Sequence, residues 1–143
     1  MRDIRWFCDP DSDNESRYAL GKPWVRGGYQ YATNGRIAVR QPTSEPDTDD
    51  GKRRPNKTIL EILKPSSCTE PWPTFRIKRM DDGTDGIDSA DTEIAGRLTA
   101  GCYVLLVSLL GDVKYDPSGK PDDPLRFTAD GIEGAVMPMK REE

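Results

Sequence analysis

Asn34-Gly35 lies between two stretches rich in strand-forming residues, Tyr29-Gln30-Tyr31-Ala32-Thr33 and Arg36-Ile37-Ala38-Val39-Arg40. Both turn residues tolerate positive φ, so the doublet reverses the chain in a tight hairpin. Trp24 to Tyr31 is expected as one strand, because its aromatic rings favour extended backbone. Arg36 to Arg40 is the return strand. Asp130-Gly131 repeats the signal between Leu125–Thr128 and Ile132–Met137. A chain bracketed by two such hairpins is committed to an antiparallel sheet. Phe75–Arg79, Thr92–Leu98 and Val113–Tyr115 are expected to add strands.

Two segments carry helical signals instead. Thr58 to Lys64 has Ile59, Leu60, Ile62 and Leu63 on one face, Asn56 or Thr58 as a cap, and Pro65 as a terminator. Thr99 to Leu110 is apolar nearly all round, so it should be deeply buried, Cys102 with it. Gly111 ends it as a C-terminal glycine does. This order predicts an α+β domain, an antiparallel sheet with two helices on one face. Residues 1–22 read as an exposed polar lead-in with Trp6 and Phe7 as an apolar anchor. Residues 23–140 form the domain, with mobile loops at 41–56 and 80–91, and 141–143 are a tail.

Composition removes several function classes. There is no histidine among the 143 residues, which excludes imidazole bases and histidine zinc sites. The three cysteines (Cys8, Cys68, Cys102) form no CxxC pair, so a structural zinc site is not expected. No glycine-rich phosphate loop is present. Asp9-x-Asp11-x-Asp13 and Asp81 to Gly86 bring acids together without the glutamate that an EF-hand loop needs at its twelfth position. The reading is no enzyme, no metal and no cofactor. Tyr103 to Leu110, the longest apolar run, is broken by Ser108 and is too short to span a bilayer. No secretory leader is visible after Met1, so a cytoplasmic protein with reduced thiols is expected. With 21 Lys+Arg against 25 Asp+Glu the net charge is -4, which disfavours nucleic-acid binding carried by overall charge. Lys52, Arg53, Arg54 and Lys57 are the one dense basic cluster and the only weak candidate for phosphate contact. They also balance Asp47, Asp49 and Asp50 next door.

Four segments, in order, resemble the bacterial DNA sliding clamp, the β subunit of the replicative polymerase. Tyr31-Ala32-Thr33-Asn34-Gly35-Arg36-Ile37-Ala38-Val39 is similar to its "ATDGHRLAV" segment. Lys57 to Leu63 looks like the helix that follows it. Leu98 to Leu106 resembles a later helix opening, and Ala135-Val136-Met137-Pro138-Met139-Lys140 resembles the "VVMPMR" ending. The resemblance covers about half of the chain and implies a fold similar to one clamp domain. It also implies an apolar pocket for short peptide motifs of replication proteins, with Thr33, Gly35, Arg36 and Ile37 as one wall and Val136, Pro138 and Met139 as the other. A clamp subunit has three such domains, and this chain has length for one. Clamp helices that face DNA are basic, whereas Thr99 to Leu110 carries no cation.

The resulting expectation is a clamp-like, non-catalytic binding module associated with DNA replication. Two alternatives stay open. One is a small acidic inhibitor of bacteriophage type, mimicking DNA against a basic groove of a host complex. The other is self-association into a ring on DNA, which needs two sheet edges free to pair.

Overall fold

Glycine-containing doublets shape most of the backbone in the computed structural model, which describes residues 2–10, 18–64, 66–73, 77–79, 81–87 and 90–139. Strand β1 (Trp24–Arg26) turns at Gly27-Gly28 into β2 (Tyr29–Thr33). Both glycines have positive φ, 60° and 85°, the geometry of a type I′ hairpin. Trp24 to Tyr31 is therefore a hairpin rather than one strand, because Gly-Gly overrides the strand preference of the rings around it. At Asn34 the expected reversal into β3 (Ile37–Pro42) occurs with different turn chemistry. Only Gly35 has positive φ, and Asn34 Oδ1 accepts hydrogen bonds from the Arg36 and Ile37 amides at 2.9 and 3.0 Å.

Helix α1 (Asn56–Ile62) follows, then β4 (Glu70–Pro71), the hairpin β5 (Ile77–Arg79)–β6 (Asp85–Ile87), and the hairpin β7 (Thr92–Ile94)–β8 (Arg97–Thr99). Strand β6 lies within the segment expected as a loop. Pro55 occupies the α1 cap position without a side-chain bond, because Asn56 Oδ1 instead accepts Trp24 Nε1 at 2.9 Å. Helix α2 (Gly101–Ser108) leads into β9 (Lys114–Tyr115), β10 (Leu125–Ala129) and β11 (Ile132–Val136).

Seven strands form one sheet in the order β1-β2-β3-β11-β10-β9-β4, every neighbour antiparallel. The pairing of β3 with β11, from Ile37↔Val136 to Arg40↔Glu133, joins the two halves of the chain. The α+β class holds, but the helices do not share a face. Strand alternation sends Ala32, Ile37, Val39, Phe127 and Val136 to one side, where they pack with Val104, Val107 and Leu110 of and beyond α2. It sends Trp24, Tyr31, Ala38 and Ala135 to the other, where Ile59 and Leu63 seat α1. The small side chains of Ala38 and Ala135 leave room for that second layer.

Three further expectations change. The lead-in contributes to the core: Ile4 and Phe7 are buried beside α2 residues, while Trp6 is half exposed. Arg2 secures it, donating from Nη1 to the Leu110 carbonyl at 2.5 Å. Residues 41–56 are tied down rather than loose. The Thr48 amide donates to the Val25 carbonyl and its hydroxyl accepts the Val25 amide, both at 2.9 Å, closing the free edge of β1. Cys102 is exposed, because the outer side of an all-round apolar helix faces solvent here. No helix is long and apolar enough to cross a membrane among the described residues.

Candidate functional site

The β3–β11 pairing brings the two sequence-predicted segments together at one end of these central strands. Beyond Ile37↔Val136, the Met137 amide donates to the Arg36 carbonyl at 2.8 Å. The Met139 amide then donates to the Leu98 carbonyl at 2.7 Å, so residues 137–139 run between the Asn34 turn and β8. The side chains divide into two sets. Ile37 (1% exposed) and Val136 (0%) are buried on the α2 side and form the floor beneath the patch, while Thr33 (6%), opposite Ala38, is buried on the α1 side. Thr33 Oγ1 donates to the Ile37 carbonyl at 2.8 Å and accepts the Gly35 amide at 3.1 Å, which holds the turn's shape. Gly35, Arg36 and Met139 are exposed and Pro138 is half-buried.

Two residues join this patch that motif reading missed. Leu98 and Tyr103 are half-buried, and Asn34 Nδ2 meets the Tyr103 hydroxyl at 3.3 Å. Nothing local in residues 33–37 signals either one, since Tyr103 arrives through a contact 69 positions away and Leu98 through the distant Met139 amide.

The basic cluster is dispersed. Lys52 and Lys57 are exposed. The Arg53 guanidinium lies 5.7 Å over the Tyr18 ring. Arg54 is a structural tie: its Nη1 and Nη2 donate to Asp50 at 2.6 and 2.9 Å, and its Nε donates to the Ala19 carbonyl at 3.1 Å. The Arg54 hydrogen bonds, joined by the Lys52 amide, hold the Asp50 pKa down from 3.8 to about 2. A carboxylate whose pKa is lowered on folding contributes stability in full above pH 3.8 and loses it as pH falls through about 2. An acid titration of melting temperature is therefore expected to decline less steeply in Asp50→Asn than in the wild type below about pH 4. Superimposable curves would show that this carboxylate is not linked to folding.

A second concave region occupies the α1 side of the sheet, where α1 stops short of β10. A cavity of about 410 Å³ is lined by Tyr29, Arg40, Leu63, Lys64, Ser66, Arg126, Phe127, Thr128, Glu133 and Gly134. Tyr29 and Arg40 also line an adjoining cavity of about 230 Å³ with Arg26 and Leu60. Arg40 is clamped between them. Its guanidinium lies 4.3 Å over the Tyr29 ring, and Nη2 donates to Glu133 Oε2 at 3.1 Å. Burial opposes the Arg40 charge, but hydrogen bonding to Glu133 and Tyr31 and the charge of Glu133 outweigh it, so its pKa is raised. Its buried Nε has no acceptor among the described residues and meets the aromatic face instead.

Among the described residues no group of three or more Cys, Asp or Glu is gathered to hold a metal ion. Asp11 and Asp13 lie outside the described residues, while Asp82 Oδ1 is engaged by the Thr84 amide and hydroxyl at 3.0 and 2.6 Å. No protein-family model, curated protein or solved structure matches the chain.

Proposed function

We propose that this chain is a non-catalytic, cytoplasmic binding module that captures a short peptide, in the setting of DNA replication that its clamp-like motifs imply. The observation that carries this reading is the side-by-side placement of the Thr33–Ile37 and Val136–Met139 segments at one end of the central strands β3 and β11. The contact surface differs from the one expected from motifs alone. Arg36, Pro138 and Met139 meet the partner, with Leu98 and Tyr103 beside them, over a floor of Ile37 and Val136, while Thr33 shapes the turn. A rigid floor with an adaptable methionine above it suits capture of one or two large apolar side chains. Arg36, exposed at the rim, sets orientation.

A ring closed through sheet edges finds little support. The β1 edge is covered by Thr48, and β4 at the other edge is two residues long. An acidic decoy also gains little, because Asp47 and Asp50, though exposed, are engaged by the Gly27 amide and by Arg54.

The test is selection of peptides from a displayed random library against the full chain, followed by binding to Met139→Asp. The variant is expected to bind at least about tenfold more weakly, with an unchanged melting temperature, because Met139 is exposed at the centre of the patch. Selected peptides that bind Met139→Asp with full affinity would overturn the assignment.

A further inference from the structure

We propose that the 410 Å³ cavity beside the C-terminal end of α1 is a second binding site, for a small ligand carrying an oxyanion, carboxylate or phosphate. It is separate from the proposed peptide site and does not depend on that reading.

The charge balance of the lining is the first argument. Arg40, Lys64 and Arg126 surround the cavity with Glu133 as its one acid, in a chain of net charge -4. Glu133 is already engaged, since its Oε2 accepts Arg40 Nη2 at 3.1 Å. Asp116 lies close enough to Arg126 for the cation to lower its pKa, but hydrogen bonds from Ser118 lower it more. Its Oδ1 takes the Ser118 amide and hydroxyl at 2.9 and 2.6 Å, and its Oδ2 takes the Ser67 amide at 3.2 Å. With Glu133 paired to Arg40, Lys64 and Arg126 leave the lining with a net positive charge, which Asp116 offsets only in part from outside it.

The second argument is that the donors are held in place before any ligand arrives. Arg126 Nε donates to the Ile62 carbonyl at 2.9 Å, and Nη2 reaches the Glu61 carbonyl at 3.5 Å. These bonds fix the guanidinium at the end of α1 and leave Nη1 with no acceptor among the described residues. Lys64 is exposed at the rim, also without an acceptor among the described residues. Ser66 and Thr128 add hydroxyl donors. A planar cation, a point cation and two hydroxyls around one space make an oxyanion receptor. Leu63 and the ring of Tyr29 supply an apolar wall, which suits a compact organic body attached to the anionic group.

The experiment is amide chemical-shift titration of the full chain with inorganic phosphate and, separately, with succinate, each at constant ionic strength held by chloride. Saturable shifts at Ser66, Thr128 and Tyr29 are expected with at least one probe. Saturation by phosphate alone assigns a phosphate ligand, by succinate alone a carboxylate ligand, and by both the shared chemistry. Lys64→Glu is expected to weaken the saturating probe about tenfold, while Lys22→Glu, at an exposed lysine before β1 and outside the cavity lining, leaves it unchanged. Lys64 is exposed, so its replacement leaves the fold in place. Shifts that do not saturate with either probe would overturn the site. Equal weakening by the two variants would also overturn it, by showing a response to overall charge alone.

Discussion

Gly134→Ala is expected to destabilise the protein by about 3 kcal/mol, against the usual gain from replacing glycine in a strand. Gly134 on β11 lies directly opposite Phe127 on β10, and the Phe127 ring lies across it. A Cβ built at Gly134 would sit 2.7 and 2.8 Å from two ring carbons and closer still to Cζ. The ring has nowhere to retreat, because it is 1% exposed and Trp72 packs against it with centroids 5.5 Å apart. For a domain of this size the loss corresponds to a fall of about 10 °C in melting temperature. The second substitution Phe127→Leu should recover part of it, since the clash is with the ring rather than with the backbone. A melting temperature for Gly134→Ala within about 2 °C of the wild type would contradict this packing.

Arg97→Met is expected to cost about 4 kcal/mol, the largest single effect outside the hydrophobic core. Arg97 is the bulkiest fully buried side chain, at 1% exposure. It has no carboxylate partner among the described residues. Its guanidinium instead donates to three backbone carbonyls: Nε to Asp123 at 2.8 Å, Nη2 to Ser118 at 2.7 Å and Nη1 to Ala95 at 3.3 Å. These bonds lash the segment between β9 and β10 onto the β7–β8 hairpin. Methionine fills similar volume but removes three bonds to part-buried acceptors, and each acceptor left desolvated without a donor carries its own cost. Gly119 is required for the same contact, because a Cβ there would overlap Arg97 Nη2. Hydrogen exchange should show early loss of protection at the Asp123 amide, which bonds the Lys120 carbonyl. A cost under about 1 kcal/mol would show that this arginine does not hold the segment.

These two positions also mark where sequence reading stops. The hairpin at Asn34 and the one at Asp130-Gly131 were legible because turn chemistry is local, and Asp130 and Gly131 both take positive φ as required. Both helices were legible from apolar spacing and from Gly111. Gly27-Gly28 was passed over because Trp24, Tyr29 and Tyr31 pull the reading toward one continuous strand. Arg97 is invisible to a local reading, since an isolated arginine in a polar stretch reads as solvated until the distant Asp123 and Ser118 carbonyls converge on it. The face each helix covers follows from β3 alternation combined with the β3–β11 register. That register pairs residues about a hundred positions apart, and no local periodicity encodes it.

The candidate peptide site was legible in part for the same reason. The motifs identify Thr33 to Ile37 and Val136 to Met139, but not which of their side chains face out. Ile37 and Val136 occupy core positions of adjacent strands, so burial removes them from the contact surface. Leu98 enters only because the Met139 amide bonds its carbonyl. The cationic cavity left no motif at all, as Arg40, Lys64 and Arg126 come from three separate elements.

The most direct test of the peptide-binding account is a chemical-shift map of the full chain saturated with a peptide selected from a displayed library. The account predicts that the largest shifts cluster at Arg36, Leu98, Tyr103 and Met139, with the α1 side of the sheet unmoved. Saturable binding with its shifts centred elsewhere, and none at Arg36 or Met139, would contradict it.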